Sequence, residues 1–314
     1  MKILKSIKNY KYIFSYSEIT KFNIFFNIIK LLFYKLCRKR FVIKKIYKNK
    51  MTLDLMTSGI SKFLFLYGKR EILDTGIVTQ EIEKDMNVLD IGANIGYYAI
   101  LEASLLDQGN VYAFEPDPRN VELLRKNIEL NNFSEKIKFY PYAVAEKDCL
   151  REFNLGRETN LSSFNREDKK VGSVKVKCVK LDNFAEIDKI DFIRMDIEGY
   201  ESVAIAGMMN FLKRKENLKL QIEVHPSAFN IGEFNFPEEL KIMDKLGFKV
   251  KYLVSAGTAK PLEIIGKGYN LIKSAQEGKW SHGLYENIKM EDLLFFLSNE
   301  PKIVRSIFLE KKTY

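Results

Sequence analysis

The stretch NVLDIGANIGYYAI, Asn87 to Ile100, together with NVYAFEPD, Asn110 to Asp117, decides how this chain is read. A short apolar run ends at Asp90, a turn passes through Gly92 and Gly96, a helical stretch follows, and a second apolar run ends at Glu115. That order predicts strand, turn, helix and strand, a unit whose turn cradles a nucleotide. Glycines let the backbone turn sharply and approach a ligand, the following helix presents its N-terminal amides, and an acid after the second strand accepts hydrogen bonds from ribose hydroxyls.

The spacing separates two cofactors. A dinucleotide fingerprint needs G-x-G-x-x-G, whereas this turn reads D-I-G-A-N-I-G, with two glycines four apart and an acid two residues before the first. It resembles the first motif of class I S-adenosylmethionine-dependent methyltransferases. That cofactor carries a sulfonium and an ammonium group and tolerates Asp90 beside it, where a pyrophosphate would be repelled. A nicotinamide-dependent dehydrogenase is disfavoured on this ground. An ordinary buried strand and tight turn would explain the glycines but leave Asp90 and Glu115, at two successive strand ends, as coincidence.

Outward from this unit, strands and helices alternate as they do in a mostly parallel sheet with helices on both faces, a Rossmann-like α/β fold. Strands are predicted at 87–92 and 110–115 and helices at 96–107 and 118–132, Pro118 suiting a first helical turn. A third strand at 137–144 leads into a polar stretch with Gly156, Asn160, Ser162 and Ser163. VKVKCVKL, 174–181, predicts an exposed strand with lysines on one face. Core strands follow at 191–197 (DFIRMDI) and 218–224 (LKLQIEV), then a helix at 237–246 and a strand at 249–254. The expected organisation is a basic arm over 1–50, a catalytic domain over 51–290 and a C-terminal tail over 291–314 whose last strand the pattern does not place.

Charge is distributed unevenly. The 314 residues carry a net charge of +10, yet the first 50 hold 14 basic side chains against the single acid Glu18, so the rest of the chain is slightly acidic. Within that arm Phe22, Phe25, Phe26, Ile29, Leu32, Phe33 and Leu36 recur at helical spacing among lysines, which predicts a basic amphipathic helix. Such a helix suits an anionic membrane surface. Packing of the stripe on the enzyme's own core is the competing expectation, and a grip on nucleic acid ranks below both because the catalytic part continues no basic track. Three scattered cysteines, Cys37, Cys149 and Cys178, make neither a disulfide framework nor a zinc site. A cytoplasmic protein, peripheral on the inner membrane face if the arm binds lipid, is therefore expected.

In an open α/β sheet ligands sit beyond the carboxyl ends of the strands. Those ends collect Asp90, Glu115, Asp196 with Glu198, and Glu223 with His225. Methyl transfer to a hydroxyl needs alignment, exclusion of water and a base. Asp196, Glu198 and His225 are the candidates for that base: a histidine titrates near neutrality, whereas a carboxylate qualifies only when burial or a like charge raises its pKa. A magnesium or manganese ion held by Asp196, Glu198 and Glu223 is chemically reasonable, but no spacing demands a metal.

Longer runs then carry a family likeness. VLDIGANIGYYA, VYAFEPDPRNVELLRKNIELN, the Asn160 to Phe164 region, VKLDNF, DFIRMDIEGYESVAIAG and QIEVHP together resemble the FkbM family of S-adenosylmethionine-dependent methyltransferases over roughly residues 57–254. The resemblance puts Asp90, Gly92, Asn94 and Gly96 on the cofactor loop, Glu115 at the ribose, and Ala143 and Val144 near the adenine. Asp196, Glu198 and Glu201 fall beside the methyl acceptor, with Asn160, Ser162 and Glu223 completing the expected substrate set. It implies O-methylation of a sugar hydroxyl on a glycan or lipid-linked saccharide. A nucleic-acid or other small-molecule methyltransferase and a non-catalytic cofactor-binding protein are the alternatives; the acidic pocket disfavours a phosphate-rich acceptor.

Overall fold

The computed structural model describes residues 19–56, 59–158, 162–164 and 170–312. Helix α1 (Lys21–Leu36) is followed by a hairpin of β1 (Phe41–Ile46) and β2 (Asn49–Asp54), then by α2 (Ile60–Tyr67) and α3 (Ile72–Glu81). The alternating core runs β3 (Val88–Ile91), α4 (Tyr97–Leu105), β4 (Val111–Phe114), α5 (Pro118–Leu130) and β5 (Ile137–Tyr140). An excursion through β6 (Tyr142–Val144), β7 (Cys149–Gly156) and β8 (Lys170–Val179) precedes β9 (Phe192–Met195), α6 (Glu201–Gly207), α7 (Met209–Arg214) and β10 (Leu218–Glu223). A short pair, β11 (Asn230–Ile231) and β12 (Phe234–Asn235), leads to α8 (Phe236–Lys245), β13 (Lys249–Ser255) and α9 (Leu262–Gly266). The chain closes with β14 (Lys273–Glu277), β15 (Trp280–Ile288), α10 (Met290–Asn299) and β16 (Val304–Lys311).

Nine strands form the central sheet in the order β14-β15-β13-β16-β10-β9-β3-β4-β5. From β10 to β5 all neighbours are parallel, and β16 lies antiparallel between β13 and β10. The strand order reverses between β3 and β9, so their carboxyl ends open the crevice in which such sheets bind ligands. Period-two alternation divides the apolar side chains. Val88, Val111, Ala113 and Phe192 face a core with α1 to α5, while Leu89, Ile91, Phe114 and Met195 face one with α6 to α8 and α10. The expected α/β sheet with helices on both faces is the architecture found.

Three expectations are corrected. The predicted strand at 137–144 is two strands in different sheets: Pro141 lacks an amide hydrogen and ends the ladder, so β5 stays on the central edge while β6 joins β8 and β7 in a three-stranded sheet. The segment expected as a tail supplies α10 and β16, a buried strand bonded on both edges. In α1 the inward face is not the predicted stripe. Ile24 is fully buried and Ile28, Leu31 and Tyr34 pack beside it, whereas Phe22, Phe25, Phe26, Ile29, Leu32, Phe33 and Leu36 are 44–83% exposed. The helix is apolar on two faces, and periodicity alone does not say which one meets the core.

Candidate active site

Beyond the ends of β3, β4 and β9 lies a cavity of about 910 Å³. Its floor is the turn after β3. Gly92 has φ 86°, and a Cβ there would come within 1.9 Å of the Asp196 carbonyl oxygen, so only glycine lets β3 and β9 end this close together. Asn94 also takes a left-handed conformation, at φ 53°, and its amide donates to Glu115 Oε2 at 2.8 Å. Glu115 Oε1 accepts from the Asp117 amide at 2.8 Å and from Asn120 Nδ2 at 3.3 Å. Burial pushes the Glu115 carboxyl up to about 7 in spite of these bonds. Ala143 and Val144 of β6 line the same cavity with Ile91 and Phe114, making an apolar slot next to a carboxylate. Gly96 opens α4 from φ 89° and packs under Leu124.

Asp90 does not line this cavity. It is fully buried, and the sheet register sets it directly across from Arg194, whose Nη1 donates to Asp90 Oδ1 at 3.2 Å. Arg194 Nη2 bonds Asp196 Oδ2 at 2.9 Å, and its guanidinium lies 3.7 Å from the centroid of the Tyr98 ring. Burial raises the Asp90 carboxyl, and Arg194 works against that rise. Beside it the carboxyl of Glu102, also fully buried, is raised well above its ordinary value by burial and then by Asp90. Asp90 thus fixes the arginine that orients Asp196. An arginine inside the apolar run DFIRMDI was the sequence signal for this partner.

At the other end of the cavity Asp196, Glu198 and Glu223 line the wall. Glu198 sits at φ 54°, a region that costs a non-glycine residue about 1–2 kcal/mol, and this conformation places its carboxylate near His225. His225 Nε2 is 3.8 Å from Glu198 Oε2 and 4.0 Å from Asp196 Oδ1, and Nδ1 donates to Glu201 Oε1 at 2.8 Å. Burial opposes charge on His225, but the bond to Glu201 and the charges of Glu201, Glu223 and Asp196 push the imidazole up to about 10. These surroundings favour the imidazolium over the neutral imidazole that a general base requires. Burial also opposes the charge on Asp196; Arg194 and then His225 nevertheless hold its carboxyl below the usual range. Glu223 goes the other way: burial, then the Asp196 charge, push it up to about 7. One atom each from Asp196, Glu198 and His225 fall within 4.8 Å of one another, close enough to share a divalent cation in competition with the His225 proton.

The remaining expected residues divide. Glu201 does not line the cavity; it holds His225 and accepts from the Gly199 amide at 3.0 Å. Ser162 lines the cavity and donates to the buried Asp117 at 2.8 Å, while Asn160 lies outside the described residues. Arg70, Tyr97, Tyr98 and Tyr200 line the cavity without having been marked in the sequence, since each arrives from an element whose local pattern carries no site signal.

Comparison with known proteins gives a family. A family model for the methyltransferase FkbM domain matches residues 90–250, just over half of the chain. The hexuronic acid methyltransferase AglP of Haloferax volcanii is 25% identical over 163 residues, covering 47% of this chain and 59% of that protein. The 2-O-methyltransferase NoeI of Sinorhizobium fredii is 28% identical over 150 residues, covering 42% and 60%. The chain thus spans about three fifths of the length of these relatives. An FkbM methyltransferase crystal structure from Methylobacillus flagellatus superposes with a TM-score of 0.36 at 16% identity over 72% of this chain and 52% of that one, too loosely to carry an argument. On the matched domain, the chain belongs to the FkbM methyltransferase family.

Proposed function

We propose that the chain is an S-adenosylmethionine-dependent O-methyltransferase acting on a sugar hydroxyl. The observation that carries this reading is one continuous cavity with a nucleoside-type slot at one end, formed by the Gly92 turn, Glu115 and Val144, and a cluster of carboxylates at the other. The fit is chemical as well as steric. Glu115 offers acceptor oxygens to ribose hydroxyls, the apolar wall suits adenine, and Asp196 supplies negative charge for a sulfonium. When bound, S-adenosylmethionine supplies an electrophilic methyl group. Glu223, whose raised carboxyl suits a base near neutral pH, would take the proton of an acceptor hydroxyl presented to that methyl group. Arg194 and the His225 imidazolium keep Asp196 and Glu198 in place. The names of two relatives, a hexuronic acid methyltransferase and a 2-O-methyltransferase, support a saccharide acceptor. Incubation with labelled methyl donor and a glycan extract, followed by mass spectrometry, tests the reading. It expects label on a carbohydrate hydroxyl; label on protein or nucleic acid alone overturns it.

A lipid-linked acceptor is favoured by α1. Its seven exposed apolar side chains share one face of the helix, and Lys21, Lys30, Lys35, Arg38, Lys39 and Arg40 beside them are exposed too. Aromatic burial and lysine attraction together suit an anionic lipid surface. The helix packs on α2, which lines the cavity through Ile60, so a bilayer under α1 would bring headgroups near the site. Among the described residues no helix is long and apolar enough to cross a membrane. A Phe25→Glu, Phe33→Glu variant is expected to fold normally and lose cosedimentation with phosphatidylserine vesicles. Equal sedimentation of variant and parent removes the lipid reading.

A further inference from the structure

A second cleft, of about 1430 Å³, opens beside the first and shares Ile60 and Arg70 with it. Its walls come from α2, the start of α3, the β14–β15 hairpin and the turn before β16. Two acids in it are engaged inwardly. Glu71 has only 3% of its side chain exposed; it pairs with Arg70 and Arg305 and accepts from Tyr98 Oη at 2.8 Å. Glu277, 10% exposed, accepts from the amides of Ile72 at 2.8 Å and Glu71 at 3.3 Å. The groups left facing the space are cationic and aromatic. Arg70 keeps 23% of its side chain exposed, Lys302 is exposed, and Trp280 is 50% exposed, with Lys279 Nζ 4.4 Å from the centroid of its ring. Arg305 is set from behind by His282, whose Nδ1 donates to the Ser255 carbonyl at 2.8 Å so that Nε2 accepts from Arg305 Nη1 at 3.2 Å.

We infer that this cleft binds the acceptor's acidic unit, a sugar bearing a carboxylate or phosphate, with its anion on Arg70 and Lys302 and its apolar face against Trp280. This rests on the saccharide methyltransferase reading and deepens it, because Arg70 stands where the cleft meets the cavity that holds Glu223. Charge-assisted bonds to a guanidinium and an ammonium select an anion, and an indole surface buries the C–H face of a sugar ring.

Trp280 is the sole tryptophan of the chain, so its fluorescence reports the cleft directly. The full-length protein, saturated with S-adenosylhomocysteine, is titrated with a panel of uronic-acid disaccharides, their carboxyl-reduced neutral counterparts and glycosyl phosphates. Expected is a saturable fluorescence change with the acidic probes at least tenfold tighter than with the neutral ones. Whether carboxylates or phosphates bind best names the source of the anion. Lys302→Ala is expected to weaken acidic probes five- to tenfold while leaving neutral probes and S-adenosylhomocysteine unchanged. Equal binding of acidic and neutral probes, no change with any probe, or parental affinity in Lys302→Ala overturns the inference. Binding is read here without turnover, so acidic probes that bind but never gain a methyl group count against the proposed reaction and not against the cleft.

Discussion

Replacing Arg194 with methionine tests whether Asp90 is a partner of that arginine, as its burial says. The Arg194 side chain is 7% exposed, bonds Asp90 at 3.2 Å and Asp196 at 2.9 Å, and stacks on Tyr98. Methionine keeps an apolar stem but leaves Asp90 enclosed without a cation, next to Glu102. Breaking a buried ion pair from one side costs about 3–5 kcal/mol. Asp90 escapes part of that by taking up a proton, since burial already raises its carboxyl with Arg194 in place. The expected loss is therefore about 3 kcal/mol near pH 8, and smaller at pH 5.5. The direction follows from linkage: the folded variant binds the Asp90 proton more tightly than the unfolded chain does. Its stability is highest below the unfolded value of about 3.9 and falls as pH rises toward the raised folded value. Adding Asp90→Asn removes the stranded charge and should return more than half of the loss. Urea unfolding followed by circular dichroism at both pH values measures all three proteins. A loss under about 1 kcal/mol at pH 8, within the ordinary range for substitutions, or the absence of rescue by asparagine, refutes the assignment.

Glu115→Gln is expected to weaken S-adenosylhomocysteine about tenfold, or 1.4 kcal/mol, by calorimetry. Parental affinity should fall as pH drops from 8 to 6, because a carboxyl raised to about 7 gives up its charge over that window, and the variant should show no such fall. Glu223→Gln should lower kcat by roughly a hundredfold, leave cofactor affinity unchanged and erase an acid limb in the rate profile centred at about 7. For His225→Gln, thermal unfolding is the measurement. The imidazolium's contribution is complete below its ordinary value near 6.5 and disappears as pH rises through about 10, so parent and variant should differ most at pH 6 and converge above pH 10.

The nucleotide cradle was legible because its signals are local. Left-handed Gly92 and Gly96, an acid ending the second strand, and Pro118 opening α5 are steric and capping requirements written within thirty residues. The same locality hides the partners that the fold brings to these residues. Asp90 looked like a ligand because a strand-end acid beside a glycine turn reads that way, and only the pairing of β3 with β9 shows that Arg194 claims it. The segment around His225 likewise names no partners; Glu201, Glu223 and Asp196, brought from three elements, raise its imidazole. Removing residues 1–50 to test the arm, a natural design from the charge pattern, would also strip Ile24, Val42 and Ile46 from the core.

Sequence by itself determined the period of each core strand and helix, the turn that a nucleoside can approach, and the excess of positive charge at the N-terminus. Those follow from backbone sterics, side-chain alternation and composition, which act over a few residues. Tertiary structure alone decided which face of α1 meets the core, where β16 enters the sheet, which carboxyls burial raises, and that Arg70, Trp280 and Lys302 border one cleft. Burial and Coulomb interaction depend on neighbours across the whole fold, and a chain read in order does not contain those distances.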